Sequence, residues 1–182
     1  MTSKPMEGLS VTTPKPLYRK IKLTQGQVAL VDACDYEELL KHKWYAGWNV
    51  HTHSFYAVRN SVKADGAPRR TIYMAREILG LRGRWQQGDH AMRNTLDNRR
   101  SVRGKENLRL ATPGQNRHNC KVLSSNSTGY TGVQLCRNGL YRARIYIGER
   151  VRYLGTRKTA RAASKLYTAA AREHHGKFAR VP

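Results

Sequence analysis

Asp89-His90, then Glu106-Asn107-Leu108-Arg109, then Gln115-Asn116: these three short stretches, taken in order, decide how the chain reads. A carboxylate stands beside an imidazole, an asparagine follows in a β-favouring stretch, and another asparagine follows in a short helical one. One-metal phosphodiester hydrolysis uses these residue types. Carboxylate and amide oxygens hold a hard divalent cation while leaving positions open for phosphate and water. An imidazole titrates near neutrality and serves as base. Asp-His alone says little, since it also suits an ordinary turn before a strand. The ordered set, with Leu96-Asp97-Asn98-Arg99-Arg100 between its parts, carries the reading.

The local pattern predicts a strand ending near His90, a polar loop, a strand over Asn107 to Leu110 and a helix from Thr112 to Asn119. Thr112-Pro113 supplies an N-cap followed by proline at the first helical position. This element, residues 82–121, resembles the HNH (ββα-metal) endonucleases of phages and homing introns. The resemblance implies that His90 is the general base, that Asn107 orients its imidazole, and that Asp89 and Asn116 hold one divalent metal ion, Mg²⁺ or Mn²⁺. His118 is the alternative to Asn116 as the helical ligand, ranked second because the spacing from Asn107 to Asn116 matches the family better. Three features depart from the family pattern. Residues 91–106 make a longer spacing than usual, with Ser101 to Lys105 resembling an insertion; Ala91-Met92-Arg93-Asn94 replaces an Asn-Gly turn; and Ala75 stands where a histidine is common. The longer loop costs little closure entropy. Asn98 reads as a loop-structuring residue, because asparagine bonds its own backbone in turns. Arg99, Arg100 and Arg109 are candidate phosphate contacts, with a solvated charged face as the plainer alternative. His51, His53, His174 and His175 read as solvated or packed.

Working outward on the N-terminal side, residues 1–16 form a polar, basic flexible arm without the apolar core of a signal peptide. Residues 17–121 make one domain, a β-rich lead-in plus the nuclease-like element. In the lead-in, Val28 to Val31, Phe55 to Arg59 and Thr71 to Met74 favour strands, Ala64-Asp65-Gly66 marks a turn, and a short helix starts near Asp35 with Tyr36, Leu39 and Leu40 at helical spacing.

On the C-terminal side, residues 122–129 are a linker containing Ser124-Ser125-Asn126-Ser127-Thr128-Gly129. Tyr130 to Cys136, Leu140 to Ile147 and Val151 to Leu154 then read as three strands, with Asn138-Gly139 as a hairpin turn. A helix from Thr159 to His174 carries Ala163, Leu166, Tyr167, Ala170 and Ala171 on one stripe, able to pack on the sheet. Residues 130–182, with their Tyr-x-Gly-Val, Tyr-Arg-Ala-Arg-Ile, Leu-Gly-Thr and His-Gly-Lys-Phe-Ala segments, resemble the Apetala/ethylene-response-factor (AP2/ERF) DNA-binding domain. Arg142 and Arg144 share one strand face, opposite Tyr141, Ala143 and Ile145. For the third strand the pattern leaves two arrangements open. Arg150 and Arg152 share a face with Leu154, and Val151 and Tyr153 the other; the resemblance turns Tyr153 outward, which puts Arg152 inward unless the strand bulges.

The chain of 182 residues carries 34 Lys+Arg against 12 Asp+Glu, a formal net charge of +22, and such an excess points to a polyanionic partner. Residues from 124 onward are the most basic per residue, with only Glu149 and Glu173 as acids. No stretch of about 18 apolar residues suggests a membrane span. Cys34, Cys120 and Cys136 lack CxxC spacing and read as partly buried thiols in a reducing cytoplasm, that of the host if the chain is phage-encoded. The expectation is therefore an α+β protein: lead-in and ββα-metal element, linker, then a three-stranded antiparallel sheet on one helix. It would be a metal-dependent endonuclease nicking double-stranded DNA as a monomer or weak dimer, with no small-molecule cofactor. Its DNA contacts would come from Arg99, Arg100, Arg109, Arg142, Arg144, Arg150, Arg152 and Tyr153. A non-catalytic DNA-binding protein with a degenerate nuclease element, and a basic RNA-binding protein, are the alternatives.

Overall fold

Alternation of polar and apolar residues in Tyr18–Lys22 (β1) and Val28–Asp32 (β2) makes them an antiparallel pair that buries Ile21, Ala29 and Val31. The computed structural model describes residues 17–61, 68–120, 122 and 125–180. The N-terminal arm, the Ala64-Asp65-Gly66 turn and part of the linker lie outside them.

Helix α1 (Ala33–Leu40) follows β2 directly, and Leu39 enters the core while its carbonyl accepts the Trp44 indole N–H at 2.7 Å. Tyr45–Asn49 (β3), Ser54–Asn60 (β4) and Thr71–Tyr73 (β5) form an antiparallel sheet in that order. A single turn of helix, Met74–Ile78 (α2), then buries Met74, Ala75 and Ile78. The helix near Asp35 and the three strand-favouring runs match the sequence reading. β1, β3 and the turn of helix after Tyr73 do not follow from it.

Gln87–His90 (β6) pairs antiparallel with Leu108–Ala111 (β9), and Pro113–Asn119 (α3) follows. Thr112 caps α3 as expected. Its hydroxyl accepts from Gln115 N at 3.2 Å, and the Gln115 side chain accepts from Thr112 N at 2.9 Å. That reciprocal box stabilises the helix by about 1 kcal/mol. The inserted residues make a small hairpin, Ser101–Val102 (β7) against Lys105–Glu106 (β8), turning through Arg103 and Gly104 at φ +50° and +73°. The extra length is thus taken up locally and leaves the β6/β9 register intact. Leu108 joins Ile21, Val31, Leu39, Trp44 and Met74 in one hydrophobic core, so lead-in and β9 fold as a unit.

In the C-terminal part, Val133–Leu135 (β10), Tyr141–Ile147 (β11) and Arg150–Arg157 (β12) form an antiparallel sheet in sequence order. Helix α4 (Ala160–His175), capped by Thr159, packs on one face through the anticipated stripe. Gly132 (φ +70°) is obligatory: a Cβ there would lie 2.1 Å from a Tyr167 ring carbon. In β12 Tyr153 turns outward and Arg152 lies on the helix side, with a bulge one residue beyond Tyr153. Ala143 pairs with Gly155 but Arg144 pairs with Tyr153, so Leu154 is the extra residue and turns inward. The molecule is thus mixed α/β, with four α-helices among the described residues and antiparallel pairing in every sheet. No described helix is long and apolar enough to cross a membrane.

Candidate functional site

Asp89 and His90 end β6 and are both buried, at 3% and 6% exposure. A carboxylate this deep needs a compensating cation, and the β6/β9 register places Arg109 directly opposite. The guanidinium donates Nε and Nη2 to Asp89 Oδ2 at 2.7 and 2.6 Å. Its Nη1 donates to Lys177 O at 2.8 Å, and its Cζ lies 4.3 Å from the centre of the Phe178 ring. Arg109 is therefore an interior counter-ion, 6% exposed, rather than the phosphate contact expected from its sequence.

The amide partners differ from expectation in an ordered way. Asn119, not Asn116, meets the carboxylate: its Nδ2 donates to Asp89 Oδ1 at 2.9 Å and to His90 O at 3.0 Å. Asn116 lies one turn earlier on α3, and its Nδ2 donates to Gln87 Oε1 at 2.8 Å. Asn98, not Asn107, meets the imidazole, with Oδ1 3.1 Å from His90 Nε2. Its own Nδ2 donates to Leu96 O at 3.3 Å, which fixes Oδ1 toward the histidine. His90 Nε2 is then the donor, leaving Nδ1 as the basic nitrogen. Asn107, fully buried, donates to Asp97 O and Arg99 O at 2.8 and 2.9 Å and so ties the loop rather than the ring.

The lead-in positions Asn98. Leu30 N donates to Leu96 O at 2.9 Å, and Asn98 N donates to Leu30 O at 2.7 Å, so β2 clamps the loop from below. Tyr56 of β4 brings its ring to 6.3 Å from that of His90, and burial pushes the phenol pKa up. Burial holds the His90 pKa below its ordinary value, against the opposing pull of Asn98, Asp89 and Asp97, so the imidazole is neutral at pH 7. Ala75 packs against Gly88, where an added Cβ would come within 2.9 Å of the alanine methyl, so the β6–α2 contact needs the glycine. His118 stacks on His175, with centroids 3.6 Å apart, and does not reach Asp89 through any hydrogen bond among the described residues.

Does this donor set suit a divalent ion? Asp89 and the α3 amides are hard oxygen donors with no thiolate or second imidazole bonded to them, which fits Mg²⁺ or Mn²⁺ in chemical type. Both carboxylate oxygens, however, carry protein donors, so an ion at Asp89 competes with Arg109. Among the described residues no three His, Cys, Asp or Glu side chains form a metal-ligating group.

The other expected contacts divide sharply. Arg99 is paired with Asp97, with Nη2 at 2.6 Å, and Arg100 with Asp35 at 2.7 Å. Arg152 lies on the helix side of the sheet opposite Ile145, its Nη1 3.2 Å from His174 Nε2. Arg150 pairs with Ile147 at the end of the same strand. Arg142, Arg144 and Tyr153 do face outward, and with Val151 and Thr156 they line one open depression. Tyr146, Val151 and Tyr153 are 53, 51 and 59% exposed on that face. The sequence reading does not single out Tyr146 or Val151, although the period of two from Arg144 marks Tyr146. Cys34 and Cys120 are exposed and Cys136 half-buried, all free, so two of the three thiols are less buried than expected.

Compared with known proteins, the chain matches no family model, no curated protein and no solved structure.

Proposed function

We propose that this chain is a DNA endonuclease of HNH type, in which the β6/β9/α3 element is a ββα-metal centre and the C-terminal sheet binds double-stranded DNA. The observation that carries the reading is His90: a buried, neutral imidazole held through Nε2 by Asn98, with Nδ1 left as the base, beside a carboxylate on the same strand. A positioned base accepts the proton of the attacking water, a contribution of about 10²–10⁴ in rate. The divalent ion the reading requires, Mg²⁺ or Mn²⁺, would be held by Asp89 with an amide oxygen from α3, of Asn119 or Asn116. It supplies electrophilic stabilisation at the phosphate. Targeting falls to the outward face of β11 and β12. A two-stranded or three-stranded sheet fits a major groove, Arg142 and Arg144 reach phosphates or guanine edges, and the face carries no carboxylate among the residues lining its depression. One centre per chain cuts one strand at a time.

A second reading, a DNA-binding protein whose nuclease element no longer cuts, is favoured by the Arg109 guanidinium closed on Asp89. Supercoiled plasmid incubated with the protein and Mg²⁺ or Mn²⁺ separates the two. The endonuclease reading expects nicked circles, lost with His90→Ala by about 10²-fold or more. Plasmid left intact by a wild-type protein that still retards a DNA duplex on a gel selects the second reading. Preference for structured RNA over duplex DNA in competition would remove both.

A further inference from the structure

Between the loop that follows His90 and the flank of α4 lies a cavity of about 280 Å³, lined by Arg93, Arg180, Thr131, Ser164, Tyr167 and Thr168 among others. We propose that this cavity is a phosphate-binding site, taking a backbone phosphate of the DNA strand offered to His90. The proposal rests on the DNA reading above and deepens it, because it assigns the contact that joins the two parts of the chain across one ligand.

Arg93 is the first argument. Its backbone sits at φ +62°, a conformation in which long side chains are rare and glycine is at ease. The turn is nonetheless tight, with Arg93 N donating to His90 O at 2.8 Å. Strained positions of this kind concentrate where a side chain has a task. The guanidinium makes no hydrogen bond or ion pair among the described residues, unlike Arg99, Arg100 and Arg109, each of which has its carboxylate.

Arg180 is the second. It reaches the cavity from the chain segment after α4, with Nη1 fixed by Cys120 O at 2.8 Å. Burial and the nearby Arg93 charge both push its pKa down, so two cations converge where the described lining residues include no acid to neutralise them. Such a pair is satisfied by an anion, and a phosphate oxygen accepts from guanidinium forks and hydroxyls alike. Thr131, before β10, and Thr168, on α4, line the same cavity beside the two cations.

The test uses the full chain, a short labelled duplex and inorganic phosphate as separate probes. Arg93→Gly removes the guanidinium while relieving the backbone, and Arg180→Gln keeps a donor toward Cys120 O while removing the charge. Each variant is expected to bind the duplex several-fold more weakly. Each should also lower the slope of log affinity against log salt by about 1. Arg93→Gly should melt at or above the wild-type temperature, which a merely structural arginine would not allow. Wild-type affinity and slope in both variants would overturn the proposal while leaving the DNA reading standing. So would inorganic phosphate that raises the melting temperature of the wild type alone while both variants hold duplex normally, since the site would then serve a free anion. A wild type that binds no duplex at all overturns the function reading and this site with it.

Discussion

β9 and β11 are both short strands in which arginine alternates with apolar residues, yet they use their arginines in opposite ways. In Leu108-Arg109-Leu110-Ala111 the arginine is 6% exposed and Leu110 is 51% exposed. In Tyr141-Arg142-Ala143-Arg144-Ile145 the arginines face water, while Ala143 and Ile145 are 0 and 1% exposed. Alternation tells which residues share a face; it does not tell which face is inside. The cross-strand partner decides that. Arg109 lies opposite Asp89, whereas Arg142 and Arg144 lie opposite Thr156 and Tyr153.

The sharpest way to break this contrast is to truncate one arginine of each kind. Arg109→Ala strands a buried carboxylate and is expected to cost about 3–5 kcal/mol in urea denaturation. Arg142→Ala should stay within about 0.5 kcal/mol of wild type and, on the function proposed above, weaken DNA binding and its salt dependence. An Arg109→Ala protein as stable as Arg142→Ala would remove the distinction. Divalent ions sharpen the same comparison: if Asp89 takes the proposed ion, Mg²⁺ or Mn²⁺ should raise the melting temperature of Arg109→Ala more than that of wild type, because the guanidinium no longer competes for the carboxylate.

A smaller effect separates the asparagines. Asn98→Ala removes the partner of His90 Nε2, and Asn119→Ala removes donors to Asp89 Oδ1 and His90 O; each should cost about 1–3 kcal/mol. Asn116→Ala breaks only the half-buried contact to Gln87 and should cost about 1 kcal/mol or less. Equal losses in chemical denaturation for Asn116 and Asn119 would contradict the placement of α3.

pH acts on the same buried groups. His90, His118 and His175 are held below their ordinary pKa, each chiefly by burial, and the last also by its stacked neighbour. Both members of that stack lose affinity for a proton as they pack, so the seam between α3 and α4 favours neutral rings. Below about pH 6.5 the unfolded chain takes up protons that the folded chain refuses, so stability falls as pH drops from there toward the folded values, and is flat above. For His90 the slope is up to about 1.4 kcal/mol per pH unit; the half-exposed stack contributes less, because solvent screens it. Urea midpoints at pH 7.5, 6 and 5 measure this, and a midpoint that rises on acidification contradicts it.

Much of the fold was legible because it is written in local chemistry. Thr112-Pro113 capped α3, the Ala163/Leu166/Tyr167/Ala170/Ala171 stripe packed α4, and Arg142 and Arg144 share a face by simple alternation. The candidate centre was legible only as a set of residue types. Asp89 and His90 do stand together, but the asparagines beside them are Asn119 and Asn98, not Asn116 and Asn107. No local pattern separates one asparagine of α3 from another a turn away, and nothing near Asn98 in the sequence announces that β2 holds its loop.

By itself, then, the sequence determined the strongly basic character, the caps and turns, and which residues of β11 share a face, all of which depend on neighbours a few residues away. The tertiary structure decided that Arg109 is interior, that Leu154 bulges, and which amide meets which acid or ring. Those outcomes depend on the register of β6 with β9 and of β11 with β12, and on β2 clamping a loop far along the chain. Buried polar groups must find partners wherever the packed elements bring them, and that requirement is met between segments rather than within them.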